Sequence, residues 1–138
     1  MADNADIQSQ SREHILLYLP SSPTREAVVE IAVRMARAYQ GSLTALIVEP
    51  SASKKKPEGY RELQKRNMEL IDRSGAQIIT TDCEKSAQQL TDYAKANNIT
   101  KIVVGYSMSK KRPGFCWRNN IDKMTYLVAP DIEVYVIN

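Results

Sequence analysis

From Glu13 onward the chain alternates short apolar runs with longer stretches whose apolar residues recur every three or four positions. Ile15-Leu-Leu-Tyr-Leu19 reads as a buried strand, broken by Pro20-Ser-Ser-Pro23. Ser22 followed by Pro23 fits an N-cap with proline at the first helical position. Val28, Ile31, Ala32, Met35 and Tyr39 then share one helical face, and Gly41 ends that helix. Leu43 to Val48 predicts a second strand. After a loop from Pro50 to Gly59 that carries Lys54-Lys-Lys56, the residues Tyr60, Leu63, Leu70 and Ile71 mark a second helix ending near Gly75. Ala76 to Thr80 predicts a third strand. Ala87, Leu90, Tyr93 and Ala94 mark a third helix, closed by Asn97-Asn98. Ile102 to Val104 is a fourth strand. Ile121, Met124, Leu127 and Val128 suit a last helix stopped before Pro130, and Ile132 to Ile137 a fifth strand.

Strands that alternate with helices imply an α/β fold: one parallel sheet with helices on both faces, because parallel neighbours need crossover connections. On such sheets ligands bind beyond the carboxyl ends of the strands, where the strand order reverses. With the first and fourth strands adjacent, two segments meet there: Pro20 to Arg25 at the start of the first helix, and the stretch after Gly105. A helix N-terminus beside cations forms an anion cradle.

The chain of 138 residues is expected to form one domain from 13 to 138, with a polar lead-in or linker over 1–12. Its 43% hydrophobic and 25% charged content is that of an ordinary globular protein, and a net charge of +3 gives no argument for a nucleic-acid partner. No apolar run approaches the roughly 20 residues of a membrane span. Cys83 and Cys116 lack the paired spacing of zinc or redox motifs, so a reducing, cytoplasmic setting is expected.

The chemistry concentrates after the fourth strand. Gly105 lets the backbone turn or approach a ligand closely, and Tyr106 to Arg118 then carries four cations and no acid. Lys110, Lys111, Arg112 and Arg118 can address an anion, Ser107 and Ser109 can donate hydrogen bonds, and Phe115 and Trp117 offer flat faces. Ser21, Ser22, Thr24 and Arg25 cluster at the first strand-to-helix turn, where capping is the simpler role. Thr44 interrupts an apolar strand, and Ala45 beside it leaves space near the sheet. A solvated basic loop, or one that docks on an acidic partner surface, explains the same cations. Catalysis is not expected: His14, the single histidine, stands at a strand boundary, and the five glycines form neither a Walker loop nor a G-x-G-x-x-G fingerprint.

Four segments carry a resemblance: His14-Ile-Leu-Leu-Tyr-Leu-Pro-Ser-Ser-Pro23, Leu43-Thr-Ala-Leu-Ile-Val-Glu49, Ile99-Thr-Lys-Ile-Val-Val-Gly105 and Leu127-Val-Ala-Pro-Asp-Ile132. With them the chain resembles, from Glu13 to Asn138, the universal-stress-protein-like domain of the KdpD family of potassium-responsive sensor kinases. The resemblance implies a five-stranded sheet in the order 3-2-1-4-5, of the architecture shared with adenine nucleotide alpha hydrolases. It also implies a regulatory rather than catalytic role and neighbouring kinase domains as partners; no cofactor is expected, and an exposed fifth strand could pair with a second copy to form a homodimer. ATP-binding stress proteins carry glycines after the fourth strand where Met108 and Arg118-Asn119 stand here, and an acid where Pro20-Ser21-Ser22 stands. Some KdpD domains bind cyclic di-AMP through Ser-x-Ser, twenty residues, and Phe-Thr-Ala-x-Tyr. Here Ser22, Thr44 and Ala45 match that pattern, while Pro20, Leu43 and Ile47 depart from it. By resemblance the ligand is therefore a nucleotide, cyclic di-AMP ahead of ATP, with Thr44 and Ala45 lining its base pocket and Ile47 among the site residues.

Overall fold

The five apolar runs pair as one all-parallel sheet in the order β3-β2-β1-β4-β5, where β1 is His14–Leu19, β2 Ser42–Val48, β3 Gln77–Thr81, β4 Lys101–Gly105 and β5 Glu133–Ile137. The computed structural model describes residues 13–20, 24–49, 58–83, 85–105 and 132–137. Helices α1 (Glu26–Ala38), α2 (Glu58–Arg73) and α3 (Ala87–Ala96) make the crossovers between successive strands from β1 to β4. The helix expected over 121–128 and the lead-in over 1–12 lie outside the described residues.

Both faces of the central strands are covered, which is why β1 and β4 read as continuous apolar runs rather than alternating ones. Leu16, Tyr18, Leu46, Val48, Ile102 and Val104 point to one face and pack under Ala87, Leu90 and Ala94 of α3. Ile15, Leu17, Leu19, Leu43, Ala45, Ile47 and Val103 point to the other, under Val28, Val29, Ala32 and Val33 of α1 and Ile71 of α2. Every strand lies within one residue of its predicted position.

Two helix ends differ from expectation, and both have a physical cause. The N-cap of α1 is Arg25, still extended at φ −65° and ψ 142°, rather than Ser22. The Thr24 carbonyl, which a longer helix would use internally, is instead taken by the Asn67 amide of α2 at 3.0 Å. The first turn therefore closes one residue later, from Val28 N–H to the Arg25 carbonyl at 3.0 Å. At the other end of α1 the left-handed residue is Gln40, at φ 53°, and not Gly41. Gly41 is required for a close approach: a Cβ there would lie 2.1 Å from the Glu13 carbonyl oxygen.

Candidate functional site

The chain leaves β1 toward β2 and leaves β4 toward β5, in opposite directions, although β1 and β4 are hydrogen-bonded neighbours. The strand order thus reverses between them, and on sheets of this kind ligands bind beyond the carboxyl ends of the strands at such a point. Gly105 closes β4 at that edge, and α1 begins there. The two are pressed together: a Cβ on Gly105 would sit 2.9 Å from Cγ2 of Val28, in the first turn of α1. Glycine at this position lets the positive end of a 13-residue helix lean against the end of β4.

The two helix N-termini that the structure describes in detail are built differently. Ser86 caps α3 with a full capping box: its hydroxyl accepts from Gln89 N–H at 3.2 Å, and the Gln89 side chain accepts from Ser86 N–H at 2.9 Å. Arg25 gives α1 no side-chain cap. Its exposed guanidinium instead adds positive charge where the helix dipole is already positive. Thr24, just before it, is buried, with its carbonyl bound by Asn67 Nδ2.

Asn67 itself is only 4% exposed, and its Oδ1 accepts no hydrogen bond among the described residues. Such an orphaned acceptor costs about 1–3 kcal/mol. The sequence reading passed over this residue. The signal was present: Asn67 stands four positions after Leu63 and four before Ile71, in the buried stripe of α2.

Of the residues singled out from sequence, Thr24, Arg25 and Gly105 come together at the carboxyl edge. Ala45 and Ile47 are fully enclosed in the core beneath α1 and α2. Thr44 projects from the opposite face of β2, as the two-residue period of a strand demands. It lines a cavity of ≈ 710 Å³ with His14, Arg37, Ser42, Gln77 and Asn97. His14, Ser42 and Gln77 are the first residues of their strands, so this cavity lies at the amino end of the sheet, away from Gly105. Ser21, Ser22, Ser107, Ser109, Lys110, Lys111, Arg112, Phe115, Trp117 and Arg118 lie outside the described residues.

The amino end also holds a buried cation. Lys101, 4% exposed, lies 3.2 Å from Glu133 and 3.9 Å from Glu13, with its ammonium 4.7 Å from the centre of the Tyr39 ring and 5.7 Å from that of Tyr135. Thr100 donates to Glu13, and Tyr135 to Glu133. Burial opposes the Lys101 charge. The hydrogen bond to Glu133 and the fields of Glu13 and Glu133 outweigh it and hold the ammonium above its usual pKa. The Glu133 carboxyl is held below its usual value by the hydrogen bonds from Tyr135 and Lys101. These partners come from β5, α1 and the entry to β1, so the cluster ties the sheet's amino edge together.

Among the described residues no cluster of three or more potential metal ligands occurs, and no helix is long and apolar enough to cross a membrane.

No family model matches the chain. In sequence it is 31% identical over 129 residues to the sensor protein KdpD of Clostridium acetobutylicum, across 91% of this chain and 14% of that protein. The chain therefore spans about one seventh of the relative's length. In structure it superposes on a universal stress protein solved in complex with cAMP, with a TM-score of 0.58 and 11% identity, covering 93% of this chain and 98% of that one. The Archaeoglobus fulgidus universal stress protein in complex with dAMP gives 0.57 and 15%, covering 93% and 99%. This chain has the universal stress protein fold, and its sequence is similar to a segment of the KdpD sensor proteins. The chain keeps the 3-2-1-4-5 sheet that the resemblance implied, with α1 starting at the point where strand order reverses.

Proposed function

We propose that this chain is a KdpD-type, non-catalytic regulatory module that binds an adenine nucleotide, cyclic di-AMP ahead of ATP, at the carboxyl edge of β1 and β4. The observation that carries the reading is the N-terminus of α1, whose N-cap Arg25 makes no side-chain capping bond, drawn against Gly105 at the switch point of the sheet. Two proteins of the same fold bound to adenine nucleotides, one with cAMP and one with dAMP, support it.

In this reading the amides that open α1, together with Ser21, Ser22 and Arg25, hold one phosphate. Lys110, Lys111 and Arg112 neutralise the remaining phosphate charge, with Arg118, Ser107 and Ser109 as further donors and Phe115 or Trp117 stacking on a base. Ala45 and Ile47 support the pocket from the core, and Thr44, on the other face of β2, is assigned no ligand contact. A ligand preference for one signalling state would pass the message to neighbouring domains of a membrane-bound, potassium-responsive sensor kinase, with this domain on the cytoplasmic side.

Calorimetric titration of the 138-residue protein with cyclic di-AMP and with ATP tests this. Saturable binding of cyclic di-AMP is expected, abolished when Lys110, Lys111 and Arg112 are replaced together by alanine while urea unfolding stays cooperative. Absence of binding by both nucleotides would contradict the reading and favour a basic loop that docks on protein.

A further inference from the structure

The cavity of ≈ 710 Å³ at the amino end of the sheet has no part in the nucleotide reading. Its size is that of a small-molecule site. Three helices end on it: α1 through Arg37 and Gly41, α2 through Ser74 and Gly75, and α3 through Tyr93 and Asn97. Its floor is the start of three strands, where the face beneath α3 turns polar. Thr44 of β2 stands directly across from Gln77 of β3, and His14 of β1 is paired with Ser42. Two positions further along the same strands come Leu16, Leu46 and Ile79, packed in or against the core under α3. Thr44 is half-buried, and the side chains of Ser42, Thr44 and Gln77 make no hydrogen bond to another described residue.

Charge decides what fits there. The carboxyl end of a helix carries about half a negative charge. Each of these three ends already has a basic residue in its last turn, Arg37, Arg73 and Lys95, so the dipoles are balanced. Among the described residues no carboxylate lines the cavity, so a cationic ligand finds no counter-charge. A phosphate would face three helix carboxyl ends with Arg37 as the one fixed cation on the wall. An apolar molecule would strip water from hydroxyls and amides without replacing their hydrogen bonds. A neutral molecule with several hydroxyls matches the walls, because each hydroxyl both donates and accepts, as do Ser42, Thr44, Gln77 and Asn97. Tyr93 adds a half-buried aromatic ring suited to the C–H face of such a molecule. We propose that the amino-end cavity is a second ligand site, for a neutral polyhydroxylated small molecule such as a monosaccharide or a cyclic polyol. It lies at the opposite end of α1 from the nucleotide site and stands independently of that reading.

The test follows backbone amide shifts of the 138-residue protein by nuclear magnetic resonance during separate titrations with glucose, myo-inositol and glucose 6-phosphate. Saturable changes at Ser42, Thr44, Gln77 and Asn97 are expected with glucose or myo-inositol, while Thr24 and Gly105 stay unmoved. Thr44→Val keeps the branched shape of the side chain and removes its hydroxyl. Gln77→Ala removes an exposed amide at the edge of the sheet, where the fold has little to lose. Each substitution should weaken binding about three- to tenfold, with urea unfolding still cooperative. Shifts that grow without saturating would show crowding rather than a site and overturn the proposal. Saturation by glucose 6-phosphate alone would make the cavity an anion site and overturn it too. So would binding that neither substitution weakens, or no response to any of the three probes.

Discussion

Gly105 and Val28 are in contact through an atom that is not there: any Cβ on Gly105 would come within 2.9 Å of Val28 Cγ2, closer than real side chains tolerate. Val28 is buried and β-branched, so its methyl group has little room to swing aside. Gly105→Ala should therefore push the first turn of α1 away from β4 and destabilise the domain by about 1–3 kcal/mol. Val28→Ala alone should cost about 2 kcal/mol through lost burial. The double variant should be more stable than the sum of the two implies, by about 1 kcal/mol, because each change relieves the other. Urea unfolding of the four proteins reads this coupling directly. Strict additivity would mean that Gly105 does not set the position of α1.

Arg25 stands exposed at the start of α1 and makes no side-chain capping bond there. Arg25→Glu should leave stability unchanged or raise it by about 0.3–1 kcal/mol, since an acid complements the helix dipole there. The same charge repels a phosphate, so cyclic di-AMP affinity should fall by about tenfold, or 1.4 kcal/mol. Stability and affinity moving in opposite directions separates a binding role from a structural one. Parallel urea and calorimetric measurements check it, and an unchanged affinity would remove Arg25 from the site.

The Lys101 cluster predicts a pH profile. The folded-state pKa of Lys101 is raised, so its contribution is fully present below the usual lysine value of 10.5 and is lost as pH rises through the folded value. Glu133 is depressed, so its contribution is present above the usual 4.5 and disappears as pH falls through the folded value. Stability from this pair is flat between those limits and declines outside them. Lys101→Met keeps the packing against Tyr39 and Tyr135 while removing the charge. It should cost no more than about 1 kcal/mol at neutral pH, because Glu133 is largely solvated. It should also flatten the alkaline decline in a series of urea unfolding curves between neutral pH and pH 11.

The sheet was legible because β1 and β4 are buried on both faces, and their apolar runs, such as Ile15 to Leu19, have no other sensible reading. Local rules failed where a distant group decided the outcome. Ser22-Pro23 carries a sound capping signal, but the Thr24 carbonyl is claimed by Asn67, 43 positions away, and α1 starts at Glu26. Lys101 looks like a cation at a strand boundary. It is buried because Glu13, Tyr39, Glu133 and Tyr135 converge on it from three other parts of the chain. Thr44 and Ala45 are adjacent in a motif, yet the strand period alone puts them on opposite faces.

The central claim is that a nucleotide binds where β1 and β4 end, and backbone amide chemical shifts followed by nuclear magnetic resonance during a cyclic di-AMP titration test it most directly. The largest changes are predicted at Thr24 to Val28 and at Gly105, with Ser42, Gln77 and Asn97 at the amino-end cavity unchanged. Changes confined to that amino-end cavity, or no changes at all, would contradict the account.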